Sequence, residues 1–538
     1  MVENLKLGIV TAASLEKGVD VRLDAPVSVE DMVVGRYVTI EGQKRRFFGM
    51  ITDVSLGVTD ERLAISPPDV NDPFIADVLT GTSTFGTIHV TPMLTISGDA
   101  KAVLEGPQPV KTIPAHFAAV NLASEQDIEN VFGKEDKERF NIGNPLDMET
   151  KLCLNLVELV KRSNGIFGKS GTGKTFLTRI LLIGMLQKSQ AVNLVFDMHN
   201  EYGWIGTREG GGTAKGLKQL FPAKVAVFTL DEESSRRRKV STDFVVKIGL
   251  NEIMPEDISI LRSTFNLTDL AVEAAYQLYK ILGHDWLNKV LNLGEEELEE
   301  LLKGATIHEG SFENLKRGLG SIGRLGFVVP EAKGDSVKNI LDFLLQGRNV
   351  VLEFGRYQEI GAYLLVANLL SRRIYSRYKE QMEEAIAVDN EALKPRPLVI
   401  TIEEAHKFLN PEVADKTIFG TIAREMRKYN VSLLVIDQRP SGISEEVMSQ
   451  MGTKITCLLD NERDIDSVLA GVSGKNELKS VLSRLAPKQQ ALIFGHAVPM
   501  PVAFQPVAYD AKFYASLTGA GQKSTTEQVE KDIEELWK

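Results

Sequence analysis

From Leu5 to about Ile96, apolar and polar positions alternate with a period of two, as in Val19-Asp-Val21-Arg-Leu23 and Tyr37-Val-Thr-Ile-Glu41. Gly8, Gly18, Gly35, Gly42, Gly49 and Gly57 punctuate the segments. Short half-buried strands joined by tight turns fit this pattern, so residues 1–105 are predicted to form a small β-barrel. A stretch containing Gly106, Pro107, Pro109 and Pro114 leads into polar sequence ending near Pro145, and 106–145 reads as a linker. Beyond it the alternation gives way to continuous apolar runs at 191–197, 225–228, 350–354, 398–402, 431–437 and 455–459, separated by helical segments. Runs buried on both faces predict a mostly parallel α/β sheet over 146–243 and 346–510. Between 244 and 345, Leu, Ile and Ala recur at helical spacing beside acidic runs such as Glu295–Glu300, which predicts a helical insertion. In the tail, 511–538, Val529, Ile533, Leu536 and Trp537 fall on one face of a short helix.

Composition narrows this picture only slightly. The chain has 538 residues, 43% hydrophobic and 25% charged, an ordinary globular balance for three or four domains. The longest apolar helical run, 176–186, is interrupted by Arg179, so neither a membrane span nor a signal peptide is expected. Two cysteines, Cys153 and Cys457, make no disulfide framework and suit a reducing cytoplasm. The net charge of −11 argues against a surface coated for nucleic acid, but leaves room for a local basic channel.

The chemistry is concentrated in one motif. Gly168-Lys-Ser170-Gly171-Thr172-Gly173-Lys174-Thr175 matches GxxxxGK[ST] and sits between apolar Ile166-Phe167 and a predicted helix. Its glycines let backbone N–H groups curl toward phosphate oxygens, Lys174 reaches the β/γ-phosphates, and the Thr175 hydroxyl ligates Mg²⁺. ATP with Mg²⁺ is therefore the expected cofactor. The run 398–402 ends in Glu403-Glu404-Ala-His406, which puts two carboxylates at the carboxyl end of a parallel strand. Glu403 is expected to hold Mg²⁺ and Glu404 to polarise the attacking water. Another apolar run ends in Asp437-Gln438-Arg-Pro-Ser441, so Gln438 is a candidate γ-phosphate sensor. Asp197-Met-His199-Asn-Glu201-Tyr202 adds polar groups to the same edge.

Taken in order, the barrel, Arg162 before the P-loop, Asp197–Tyr202, Glu403–His406, Ala423-Arg424-Glu-Met-Arg427-Lys428 and Gln438–Ser441 resemble the HerA branch of the FtsK–HerA motor ATPases. The resemblance runs from the barrel to 491–499. It implies a RecA-like P-loop core and a homo-hexameric ring that threads double-stranded DNA, powered by ATP hydrolysed between subunits. It also implies a barrel that docks a NurA-type nuclease or another effector, in DNA end processing or anti-phage defence. Arg162 at this position acts in trans in such proteins, and Arg424 and Arg427 are further candidates between which the sequence does not choose. Two departures stand out: the family usually has Asp at Glu403, and His at Ser163.

For DNA contact there are two candidates. One is the glycine-rich loop carrying Arg208, Lys215 and Lys218. The other is the run Arg236, Arg237, Arg238 and Lys239. Either would hold phosphates without reading bases. A membrane-anchored secretion ATPase would share the P-loop but should show a membrane segment. An ATP-dependent ring scaffold that assembles an effector without moving DNA is the alternative function, and Glu404 disfavours it because a clamp needs no water-activating base.

Overall fold

The computed structural model describes residues 5–65, 83–97, 107–207, 213–294, 307–425, 428–472 and 474–517, with single positions at 68, 71, 74, 78 and 79. The tail face at 529–537, the acidic run 295–300, Arg208 and Arg427 lie outside the described residues.

At the amino terminus six antiparallel strands close on themselves in the order Gly18–Leu23, Lys6–Ser14, Ala119–Leu122, Tyr37–Glu41, Arg45–Val58 and Thr84–Ser97, with the last pairing back onto the first. The short strand Gln108–Pro109 extends Thr84–Ser97. The alternation that predicted these strands is the alternation of burial: Val19, Val21 and Leu23 face in, with Val10, Val38, Ile40, Ile51 and Val90 filling the interior. Closure satisfies the backbone groups that an open edge would expose.

The stretch 106–145, expected to link two domains, instead contributes to both. Ala119–Leu122 closes the barrel, and Arg139–Pro145 joins the sheet of the second unit. Between them, helix Glu125–Phe132 starts with a capping box of Ser124 and Asp127. Asp127 also receives the Arg46 guanidinium of the barrel. The Tyr37 hydroxyl donates to the Pro501 carbonyl at 2.9 Å, and Phe48 and Met50 pack into the core of the second unit.

That unit is built on a twelve-stranded sheet. Eight strands run parallel in the order Phe244–Val245, Val225–Thr229, Asn349–Glu353, Val192–Asp197, Leu398–Glu403, Val431–Asp437, Asn164–Phe167 and Thr453–Thr456. Four antiparallel strands follow: Ala491–Gly495, Val502–Pro506, Arg139–Pro145 and Leu152–Asn155. The central strands are buried throughout, which is why they read as unbroken apolar runs.

The P-loop helix Lys174–Lys188 and the long helix Ile360–Ala387 pack against the sheet core. Between the strands ending at Val245 and beginning at Asn349 stand helices Pro255–Ile260, Asp269–Leu282, Trp286–Asn292, Glu309–Gly323 and Ser336–Leu345. Buried Asp257 of the first pairs with Arg372 at 2.8 Å and accepts from Asn368 at 3.1 Å, which fixes this helical group on the long helix. No described helix is long and apolar enough to cross a membrane.

Candidate nucleotide-binding site

The strand Asn164–Phe167 lies between Val431–Asp437 and Thr453–Thr456, so the loop after it opens at the carboxyl edge of the sheet. Gly171 and Gly173 have φ of 76° and 96°, the left-handed backbone that glycine adopts without strain. A Cβ at Gly173 would meet nothing within 4 Å, so the loop needs this glycine for its backbone conformation rather than for space. Thr172 Oγ1 donates to the Lys169 carbonyl at 2.7 Å and tightens the curl. The buried Lys174 ammonium folds back on its own loop, donating to the carbonyls of Gly168 at 2.7 Å and Lys169 at 2.8 Å. Burial lowers its pKa, and the charges of Cys457, Glu404, Asp437 and Glu403 oppose that shift. Thr175 is half-buried in the first turn of the helix.

Two strands away, Leu398–Glu403 delivers its carboxylates to the same edge. Glu403 is 8% exposed; its Oε1 accepts from the Tyr202 hydroxyl at 2.9 Å, and its Oε2 has no partner among the described residues. The Tyr363 hydroxyl pins its backbone, accepting from Glu403 N–H at 2.9 Å and donating to its carbonyl at 3.2 Å. Burial, reinforced by Asp197, pushes the Glu403 carboxyl up to about 8. Asp197 is itself buried and accepts from the N–H groups of Glu201, Tyr202 and Gly203, so it organises the turn after its strand. Glu404 sits at φ 50°, where the chain turns sharply out of the strand. Gln438 Nε2 donates to Glu404 Oε1 at 3.2 Å. Thus the two residues singled out as water activator and sensor contact each other directly. Glu404, His406 and Asp437 lie within 4.8 Å of one another. Asp437, however, already accepts from His406 N–H at 2.6 Å, His406 Nδ1 at 2.9 Å and Arg439 N–H at 2.6 Å, which marks an orienting network rather than a cation cage.

Loop and carboxylates share a cleft of about 770 Å³. Exposed His199 and half-buried Glu201 line it, as do Lys488–Gln490 and residues 505–510. The last two segments were not read as functional from the sequence, because they carry no local motif. They come to the cleft through the antiparallel strands Ala491–Gly495 and Val502–Pro506 beside the parallel core. Tyr509 stands 5.7 Å from the Phe176 ring and forms an aromatic wall with it.

Other candidates lie elsewhere. Arg162 precedes the P-loop strand and so sits at the amino edge of the sheet, opposite its own cleft. It is half-exposed, and its guanidinium has no hydrogen bond or ion pair among the described residues. Ser163, where the family usually has His, is buried and accepts from Leu433 N–H at 3.1 Å, joining two strands. Arg424 pairs with Asp415 at 2.5 Å. Of the basic residues, Lys218 bonds the Val225 carbonyl at 2.9 Å and pairs with Asp243 at 3.1 Å. Arg238 pairs at 2.6 Å with fully buried Glu353, whose carboxyl burial pushes up to about 7. Both are committed to the fold. Arg236 and Arg237 are exposed, each bonded to a glutamate one turn back. Lys239 is exposed, and Lys215 is half-buried with its ammonium 5.7 Å from the Tyr514 ring centroid.

A P-loop, two strand-end carboxylates and a glutamine facing one of them, at the carboxyl edge of a parallel sheet, define a RecA-like P-loop ATPase. Residues 140–374 match the family described as helicase HerA, central domain, and residues 7–102 match the HAS barrel domain. The two matched domains follow one another along the chain, barrel first and HerA-type central domain second. It is 25% identical over 423 residues to the DNA double-strand break repair helicase HerA of Pyrococcus furiosus, covering 74% of each chain. It is 23% identical over 492 residues to the protein of the same name from Sulfurisphaera tokodaii, covering 90% of each. Similar solved structures include VirB4 of Thermoanaerobacter pseudethanolicus, with TM-score 0.43, 15% identity, and 71% of this chain and 99% of that one covered. Another is the bacterial conjugative coupling protein TrwB, with TM-score 0.45, 13% identity, and 72% and 92% covered.

Proposed function

We propose that this chain is a Mg²⁺-dependent ATPase that assembles as a homo-hexameric ring, moves double-stranded DNA, and docks a nuclease or other effector through its barrel. What carries the reading is the meeting of Lys174, Glu403 and the Gln438–Glu404 pair in one cleft while Arg162, unpaired among the described residues, stands at the opposite edge. Mg²⁺ and ATP fit the residues present. Glu403 Oε2 is buried without a partner among the described residues, and the Lys174 ammonium rests on two loop carbonyls whose place phosphate oxygens would take. The loop N–H groups and Lys174 would hold the phosphates, and Thr175 and Glu403 the cation. The cation would supply charge neutralisation at the transferring phosphoryl group.

The remaining work belongs to the chain's own groups. Tyr202 and Tyr363 hold Glu403 in place. Gln438 holds Glu404, which takes the proton of the attacking water. Arg162, with Arg424 and Arg427 as further candidates, acts on a neighbouring subunit's cleft. Arg236, Arg237, Lys239 and Lys215 remain as phosphate contacts for DNA, whereas Lys218 and Arg238 hold the fold together. HerA of Pyrococcus furiosus is named as a DNA double-strand break repair helicase, which supports a DNA substrate here.

The test is ATP hydrolysis with and without linear duplex DNA, combined with displacement of a third strand annealed to that duplex. DNA-stimulated hydrolysis and displacement are expected, and both should vanish in Lys174→Ala. Stable ATP-dependent rings with negligible turnover would instead favour the scaffold reading.

A further inference from the structure

Arg179, which interrupts the longest apolar helical run, is 1% exposed in the P-loop helix, one turn beyond Thr175. Its Nη2 donates to the Glu201 carbonyl, while Nε and Nη1 have no hydrogen-bond partner among the described residues. Aromatic rings surround it: the guanidinium carbon is 5.3 Å from the Phe176 centroid, 5.6 Å from Tyr509 and 5.9 Å from Tyr202. Rings attract the charge but do not replace two lost hydrogen bonds, so this is a costly place to bury an arginine. Each ring belongs to a different part of the site. Phe176 is on the P-loop helix, Tyr509 is on the far wall of the cleft, and Tyr202 holds Glu403.

The same guanidinium supports a hairpin. Strands Ile205–Thr207 and Thr213–Lys215 pair antiparallel immediately after the Asp197–Tyr202 turn. A Cβ at Gly206 would lie 2.1 Å from Arg179 Nη2, so the first strand passes directly over the guanidinium. The second strand is tied to the cleft wall: the Tyr509 hydroxyl donates to the Lys215 carbonyl at 2.7 Å, and Lys215 N–H donates to the Tyr514 hydroxyl at 3.3 Å. Both strands are therefore held by residues that also line the cleft or pack against its wall.

We propose that Arg179 is a positioning residue that couples the placement of the hairpin Ile205–Thr207 and Thr213–Lys215 to the occupancy of the nucleotide cleft. A ligand entering the cleft beside Phe176 and Tyr509 shifts Tyr509, the ring that both Arg179 and the hairpin contact. It thus favours one hairpin arrangement over another through a difference in contacts. The proposal rests on the nucleotide-binding reading, but not on DNA movement.

Hydrogen–deuterium exchange on the full chain tests it, following amides 201–207 and 213–218 with and without a saturating non-hydrolysable ATP analogue and Mg²⁺. Saturation, checked with a fluorescent analogue, separates coupling from affinity. In the parent, exchange of these amides should change on the order of fivefold on binding. Arg179→Met, similar in volume, should bind the analogue and lose that response. Tyr509→Phe, which removes only a hydroxyl, should reduce it and carries the test if Arg179→Met does not fold. A parent that binds the analogue with hairpin exchange unchanged overturns the proposal and leaves the ATPase reading standing. So does a full response in a folded Arg179→Met, or in Tyr509→Phe if Arg179→Met fails to fold. A parent that binds no analogue overturns both.

Discussion

Replacing Arg162 with alanine tests the proposed ring, because the fold places this side chain where it cannot serve its own nucleotide. Arg162 precedes the strand Asn164–Phe167, and the phosphate-binding loop follows that strand. The four-residue strand Asn164–Phe167 stands between Arg162 and Gly168 and by itself spans about 13 Å at roughly 3.3 Å per residue. That is well beyond the length of an arginine side chain. Its stem is fixed by packing, since a Cβ at Gly452 would lie 2.6 Å from Arg162 Cβ. A cleft completed by a neighbour's arginine should therefore bind ATP normally in Arg162→Ala and hydrolyse it about 10³-fold more slowly. That loss corresponds to about 4 kcal/mol of transition-state stabilisation. Steady-state hydrolysis with a parallel nucleotide-binding titration reads both quantities. Mixing Arg162→Ala with Lys174→Ala chains under subunit exchange should restore part of the activity, because some interfaces then join an intact loop to an intact arginine. A monodisperse monomer hydrolysing ATP at the parental rate would refute the trans arginine and the ring motor with it.

Glu404→Gln should retain nucleotide binding and lose about 10²- to 10⁴-fold in turnover, the usual contribution of a positioned general base; parental hydrolysis would show that another group takes the proton. Lys174→Ala should weaken nucleotide binding itself, read by titration with a fluorescent ATP analogue. Neutralising Arg236, Arg237 and Lys239 together should shallow the salt dependence of DNA affinity by about one unit per lost phosphate contact; an unchanged slope would move the contact to other residues. Lys454, 4% exposed with its ammonium on the Val468 carbonyl at 2.9 Å, has its pKa lowered by burial from 10.5 to about 8. The unfolded chain keeps that proton to higher pH than the fold does. This contribution to stability is therefore flat below about pH 7 and grows by about 2 kcal/mol between about pH 7.5 and 9.5. Urea unfolding across that window should show the rise shrink by this amount in Lys454→Met.

What the sequence determined by itself is what depends on contiguous residues. Gly168–Thr175 specifies its loop because the left-handed positions, Gly171 and Gly173, and the groups proposed to meet phosphate all lie within eight residues. Strands buried on both faces, such as Val431–Asp437, announce themselves as apolar runs, and the glutamates that end Leu398–Glu403-Glu404 were placed at the sheet edge by the same logic. Tertiary structure decided whatever depends on a distant partner. Ala119–Leu122 and Arg139–Pro145 lie in a stretch that reads as a linker, and they become strands because barrel closure and the sheet edge offer them ladders. Lys218 and Arg238 look like free basic residues until Asp243 and Glu353 are brought beside them, the latter 115 positions away. Arg179 interrupts an apolar run on paper, yet it is buried because Phe176, Tyr202 and Tyr509 converge on it from three parts of the chain. A local pattern records which residues prefer burial, but the identity of a buried charge's partner is set only when the strands and helices pack.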